Sequence, residues 1–165
     1  WYSLPQQEAA ELVLAKGIWE RHLAPLLREP CPIDQQLYRL TPHPGISKRV
    51  AAALLNSTWL ALQLELQGRV NFGEGVLWLA TYEVQNLLLP DPRRLAAEET
   101  ARLEHCFDTL SRRAISGSLE VELTRADRRQ LDDTVFKMIG VSPTEATIIQ
   151  ETLLERIQAR HVYAR

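Results

Sequence analysis

The feature that most constrains this chain is a helix with apolar residues on nearly every side. Between Val50 and Leu66 the apolar positions are Val50, Leu54, Leu55, Trp59, Leu60, Leu62, Leu64 and Leu66. At 3.6 residues per turn they leave almost no continuous polar face. A helix of this kind is covered on most of its surface. It is not a membrane span, because Asn56, Ser57, Gln63 and Glu65 interrupt it. It also falls short of the roughly 20 apolar residues that a bilayer needs. Asn56 and Ser57 are expected to satisfy buried backbone groups, and Trp59 and Trp78 to lie in the core.

Residues 54–92 extend this helix into the organising stretch of the chain. Gly68 is a natural stop, since glycine tolerates the left-handed conformation. Residues 69–75 form a connection with two glycines, a cation and polar side chains. Residues 76–79 read as a buried strand. Thr81 is placed to cap a short helix through Glu83 and Val84. Residues 87–89 read as a second strand, ended by Pro90, Asp91 and Pro92.

Ahead of this stretch the chain reads as irregular β structure. Residues 1–4 are a strand candidate, and residues 12–14 and 18–19 read as strands around Lys16 and Gly17. Residues 22–27 carry no clear pattern. Pro30, Cys31 and Pro32 indicate a loop, residues 35–40 a strand, and residues 41–45 a rigid loop leading to Ser47 as a helix N-cap. Lys48 and Arg49 then fall in the first helical turn, where the helix dipole disfavours cations. They are either solvated or serve an anion outside the helix.

After Pro92 the pattern becomes helical. Asp91 caps and Pro92 takes the first position of a helix expected to reach about Arg113, with an apolar stripe of Leu95, Leu103, Phe107 and Leu110. Residues 114–118 link to a second helix, capped by Thr124 and stopped by Gly140, with Leu131, Val135, Met138 and Ile139 on one face. Ser142, Pro143 and Glu145 make a capping box for a third, which carries Ala146, Ile149, Leu153 and Ile157. The predicted fold class is therefore α+β: a small mixed sheet around a long buried helix, followed by a C-terminal three-helix region. The expected division is an α+β domain over 1–92 and a helical region over 93–165.

The formal net charge is −2, which argues against a purely electrostatic binder of nucleic acid. Two cysteines far apart in sequence, Cys31 and Cys106, read as reduced thiols of a cytoplasmic protein. No signal peptide, lipidation motif or membrane run is seen. The chain begins at Trp1, without methionine, and is expected to be a piece of a longer protein. The four histidines are scattered without metal-ligand spacing. Asp132 and Asp133 suggest either a divalent-metal site or, beside Arg128 and Arg129, a solvated charged face. No nucleophile, base and orienting group converge, so no catalytic residue, cofactor or metal is assigned to this chain.

The connection at 69–75 is the best functional candidate. Arg69 can read guanine or clamp phosphate with its fork of donors. Asn71 can make two hydrogen bonds to adenine. Gly73 and Gly75 allow a sugar-phosphate backbone to come close. The alternative is an ordinary helix-to-strand connection.

The ordered series Asn56-Ser57, Glu65-Leu66, Gly68-Arg69, Gly73-Glu74-Gly75, Leu79 with Glu83, and then Leu87 to Pro92, resembles the C-terminal part of N6-adenine DNA methyltransferases. The likeness is to their TaqI-like specificity domain, found in solitary and type II restriction-linked enzymes, and the parent would be a restriction–modification or phage-defence enzyme. It spans most of residues 1–92 and continues loosely into 127–132 and 139–142. It implies a target-recognition module that binds double-stranded DNA, with Arg39, His43, Lys48 and Arg49 completing a basic rim around Arg69. It also implies a separate N-terminal catalytic domain that uses S-adenosylmethionine. The chain itself lacks that chemistry: it has no Pro-Pro tetrad, and its Gly73-Glu74-Gly75 precedes a strand instead of following one. The rival expectation is a non-enzymatic protein–protein interaction or dimerisation module, with a homodimer formed through the C-terminal helices along the Val135 and Ile149 stripes.

Overall fold

The computed structural model describes residues 8–70 and 75–162; the strand candidate at 1–4 lies outside them. The fold is α+β. Its strands are β1 (Ala10–Ala15), β2 (Gly17–Ile18), β3 (Leu26–Cys31), β4 (Leu37–Leu40), β5 (Arg69–Val70) and β6 (Leu77–Trp78). Its helices are α1 (Lys48–Leu55), α2 (Thr58–Gln67), α3 (Thr81–Gln85), α4 (Ala97–Ser111), α5 (Leu119–Leu123), α6 (Ala126–Met138) and α7 (Pro143–Val162).

In place of the single mixed sheet expected from the sequence there are two three-stranded sheets, ordered β3-β1-β4 and β2-β6-β5. Every pairing in them is antiparallel. The chain passes from one sheet to the other at Lys16. Its N–H donates to Gln36 O at 2.9 Å beside β4, and its carbonyl accepts from Leu79 N at 2.8 Å after β6. The Tyr38 hydroxyl also donates to Leu79 O, at 2.8 Å, and ties β4 to the second sheet.

β3 runs through Pro30 and Cys31, where the sequence suggested a loop. It is an edge strand, and an edge position tolerates the missing N–H of proline. The reverse correction applies to residues 87–89, which form no strand. The Gln63 side chain takes the Leu88 N–H and donates to the Leu88 carbonyl, both at 2.7 Å. Trp59 Nε1 donates to the same carbonyl at 2.8 Å. Side chains of α2 thus occupy the groups that a strand ladder needs.

The long apolar helix is two helices, broken at Asn56 and Ser57. The Asn56 amide bonds the N–H and the carbonyl of Ala24 and the carbonyl of Ala52. Ser57 Oγ donates to Leu54 O and accepts from Leu60 N, as the N-cap of α2. Ser47, expected to cap α1, makes no capping bond; its hydroxyl reaches Glu104 on α4 instead. Likewise Asp91 caps only a 3-10 turn, Pro92–Arg94, and α4 starts separately, with Glu99 accepting from Ala96 N at 2.9 Å. Thr124 ends α5 and does not start α6. The capping box of α7 is present, with Glu145 accepting from Ser142 N at 2.8 Å. Gly140 ends α6 at φ 74°.

Three apolar clusters explain why the 50–66 stretch is greasy all round. One face of α2, with Leu60 and Leu64, packs on Leu12, Leu14 and Leu77 of the sheets and on Leu79 just after β6. Its other face, with Ala61 and Leu62, meets Leu119, Leu123, Leu153 and Ile157 of α5 and α7. α1 contributes Val50, Ala53 and Leu54 to a third cluster with Leu103 and Cys106 of α4 and Leu131 and Val135 of α6. Burying each such leucine contributes roughly 2 kcal/mol. The change of character at Pro92 is therefore one of composition, and packing crosses it. Cys31 is exposed, Cys106 is buried, and both are free thiols. Among the described residues no helix is long and apolar enough to cross a membrane.

The pair Asp132 and Asp133 divides. Asp132 and Arg128 are buried, not part of a solvated face. Asp132 Oδ1 accepts from Thr58 N at 2.7 Å, so α6 caps the start of α2. Asp132 Oδ2 accepts from Thr58 Oγ1 at 2.6 Å and from Arg128 Nε at 2.8 Å. Arg128 Nη2 closes the ring by donating to Thr58 Oγ1 at 2.8 Å. Removing one partner of a buried ion pair strands the other. Asp132→Ala is therefore expected to cost about 3 to 5 kcal/mol in chemical denaturation, whereas Asp133→Ala, on the exposed side of the same turn, stays within about 0.5 kcal/mol of the parent.

Candidate functional site

The connection that follows α2 is built on a close approach. Gly68 has φ −70°, so it is not there for a left-handed turn. A Cβ on it would sit 2.7 Å from Leu77 Cδ1 and 2.9 Å from Leu64 O, so only glycine lets β5 leave the helix against β6. Arg69 pairs across to Trp78 and Val70 to Leu77. Gly75 has φ 74°, a backbone state that glycine adopts without a Cβ penalty. Asn71 and Gly73, both candidate base or backbone contacts, lie outside the described residues.

Arg69 is about half exposed, and its position is set from two sides. Its Nε pairs with Glu83 Oε1 at 2.9 Å. Its guanidinium lies 5.5 Å from the centre of the Tyr82 ring, within cation–π range. Glu83 is itself fixed, because Oε2 accepts from Ala80 N at 2.6 Å, and it is only 6% exposed. Nη1 and Nη2 have no partner among the described residues. The result is an arginine braced at Nε, with about half of its side chain exposed.

The other candidate cations lie on the first sheet and α1. Arg39 on β4 pairs with Glu8 and Lys48 with Glu11. Arg49 pairs with Glu104 at 3.0 Å and with Asp108 at 3.1 Å. The anion that an arginine in the first helical turn calls for is thus supplied by α4. His43 is exposed in the loop before α1. These four residues are not in contact with Arg69 in any pairing among the described residues. Exposed ion pairs of this kind hold only about 0 to 1 kcal/mol, so a phosphate can compete for the cation.

Beneath the connection lies a buried charged cluster that the sequence analysis does not assign. Arg160 of α7 donates to Glu65 of α2 from Nη2 at 2.8 Å and from Nε at 3.0 Å. Its Nη1 donates to the Gly75 carbonyl. His22 Nε2 lies 2.8 Å from Glu65 Oε1. All three side chains are at least nine-tenths buried. The one signal available in the sequence was Glu65, an acid inside a helix apolar on every side, which requires a buried partner. At the same end of α7 the His161 ring stacks on Trp19, with centroids 4.4 Å apart.

The charge states follow from the geometry. Burial pushes the Glu65 carboxyl up, but the hydrogen bonds from His22 and Arg160 outweigh it and leave it below the usual range, ionised. Burial pushes His22 down, and the bond to Glu65 does not fully compensate. His22 is therefore neutral, and the acceptor opposite Nε2 assigns the proton to Nε2. Nδ1 is buried without a partner. Among the described residues no group of three His, Cys, Asp or Glu side chains converges to hold a metal ion.

A histidine whose folded pKa is depressed takes up its proton more readily in the unfolded chain. Its contribution to stability is complete above about pH 6.5 and is lost progressively as pH falls from there towards the lower pKa of the folded state. The urea midpoint is expected to drop between about pH 7.5 and about pH 5.5, a window that ends above the carboxylate range. His22→Gln, which keeps a donor for Glu65, should show a smaller drop over the same window.

The chain matches no protein-family model, no curated protein and no solved structure.

Proposed function

We propose that this chain is the double-stranded DNA-reading part of an N6-adenine DNA methyltransferase of the restriction–modification or phage-defence type, acting in the cytoplasm. The catalytic domain and its S-adenosylmethionine belong to polypeptide outside these residues. The reading rests on the sequence resemblance, and the observation that carries it further is Arg69. A guanidinium held through Nε by Glu83 and laid against Tyr82 offers its two outer nitrogens as a preformed fork. That fork matches the O6 and N7 acceptors of guanine or two phosphate oxygens. Holding it in advance lowers the entropy lost on contact. The fork sits on a connection whose flanks are fixed by Gly68, Gly75 and Arg160, and recognition loops carried on rigid scaffolds commonly take this form. Arg39, Lys48 and Arg49 supply phosphate contacts by exchanging their carboxylate partners, with His43 exposed in the loop before α1.

The rival reading, a dimerisation module, has less surface to work with than the sequence suggested. Val135 is fully buried within the chain's own core and Ile149 packs against the α2–α7 cluster. These stripes are spent on holding α6 and α7 to α1 and α2.

The test is fluorescence anisotropy of a labelled duplex, titrated with this chain joined to its upstream domain. Binding is expected to weaken steeply between about 50 and about 200 mM salt, and Arg69→Ala to weaken it about tenfold further. Glu83→Gln keeps the acceptor for Ala80 N but loses the charge that holds Arg69. It should also weaken binding, although removing an acid strengthens any purely electrostatic contact. Salt-insensitive binding, or tighter binding by Glu83→Gln, contradicts the reading.

A further inference from the structure

Between β3 and the C-terminal end of α4 the surface sinks into two adjoining concavities. The inner one is a chamber of about 210 Å³ whose lining includes Leu23, Leu26, Phe107, Leu110 and Ile115. The outer one shares Leu26, Phe107 and Ser111 with it and brings Arg28, Arg49 and Arg112 to its wall. The whole chain has a net charge of −2, yet this wall carries three arginines against one carboxylate, Asp108. Arg49 is engaged by Asp108 and Glu104. The side chains of Arg28 and Arg112 are exposed and have no partner among the described residues.

Two unpaired guanidiniums at the mouth of an apolar chamber specify an occupant with two parts. Guanidinium forks suit phosphate oxygens. The chamber is large enough for an aromatic ring and lined to receive one. It also holds a polar atom in need of a partner: Arg21 lines the chamber, and its Nε is buried without a hydrogen bond. Its outer nitrogens are already committed to Ser116 O and Glu122. The segment 113–116, which supplies Arg113 and Ile115 to the lining, is held by the same carboxylate, since Glu122 also accepts from Arg113 and from Ser116 N. The chamber is thus a built feature and not a gap between loose elements.

We propose that this cleft binds a small phosphomonoester with an aromatic body, its phosphate on Arg28 and Arg112 and its ring in the chamber against Phe107 and Leu110. The cleft is separate from Arg69, which lies on the other sheet, and it shares only Arg49 with the phosphate contacts proposed above.

The probe is phenyl phosphate, titrated into the intact chain and followed by backbone amide shifts, with inorganic phosphate and benzyl alcohol as the separate halves. Saturable shifts are expected in β3 and in α4 from Phe107 onward, with affinity at least about tenfold above that of either half. The Arg28→Ala, Arg112→Ala double variant should lose about tenfold for phenyl phosphate and nothing for benzyl alcohol. Leu110→Trp fills the chamber and should reduce phenyl phosphate to the affinity of inorganic phosphate. Where that variant does not fold, Ile115→Trp at the exposed mouth makes the same test. No saturable shift at about 10 mM, the weak limit for a ligand of this size, overturns the proposal. So do shifts elsewhere on the chain, or equal affinity for phenyl phosphate and inorganic phosphate.

Discussion

α2 is held at both ends by charges taken out of water. At its start, Asp132 and Arg128 of α6 bond the Thr58 backbone and hydroxyl. Near its end, Arg160 of α7 clamps Glu65, with His22 on the other side of the carboxylate. Apolar burial supplies most of the free energy but has no direction, and a helix greasy all round has no single preferred rotation. The two ion clusters provide direction. Each is satisfied only when α6 and α7 stand at a set position along α2, and a displaced arrangement strands a buried charge.

From that fixed helix the geometry of the candidate surface follows. α2 ends at Gly68, where a side chain would meet Leu77 and Leu64 O. β5 therefore leaves along β6, and Arg69 comes to stand beside Glu83 and Tyr82. The Arg160 that anchors α2 also holds the Gly75 carbonyl, so both ends of the connection are tied to one scaffold. The shape of the connection is thereby linked to a helix some ninety residues away in the chain. The arrangement gives the C-terminal helices a role in shaping the connection that does not depend on any partner.

Much of this was legible in the sequence, and the rest was hidden for physical reasons. The apolar stretch, the α7 capping box and the Gly140 stop are local signals. They are encoded in adjacent residues and appear where expected, whereas the division of that stretch into two helices at Asn56 and Ser57 was not foreseen. The two sheets were read as one because the change of partner at Lys16 is made by backbone bonds to Gln36 and Leu79, which leave no mark on the composition. Residues 87–89 have the composition of a strand, but Gln63 and Trp59 occupy the backbone groups that a strand would pair. At the site, Arg69 was identifiable by residue type, but its brace was not. Asp132 and Arg128 were read as surface charges because four-residue spacing on a helix usually marks a solvated pair. Their burial depends on Thr58, seventy-odd residues away in sequence, and no window along the chain contains both.

Native-state hydrogen exchange on the intact chain puts this arrangement to its hardest test. If α2 is the shared core of the sheets and the helices, the slowest amides of α2, α6 and α7 exchange through one opening, with the same free energy and the same dependence on urea. If instead α7 opens at a markedly lower free energy while α2 keeps its protection, the clamp at Glu65 is not what orders the chain. The connection from Arg69 to Gly75 would then be presented by the sheets alone.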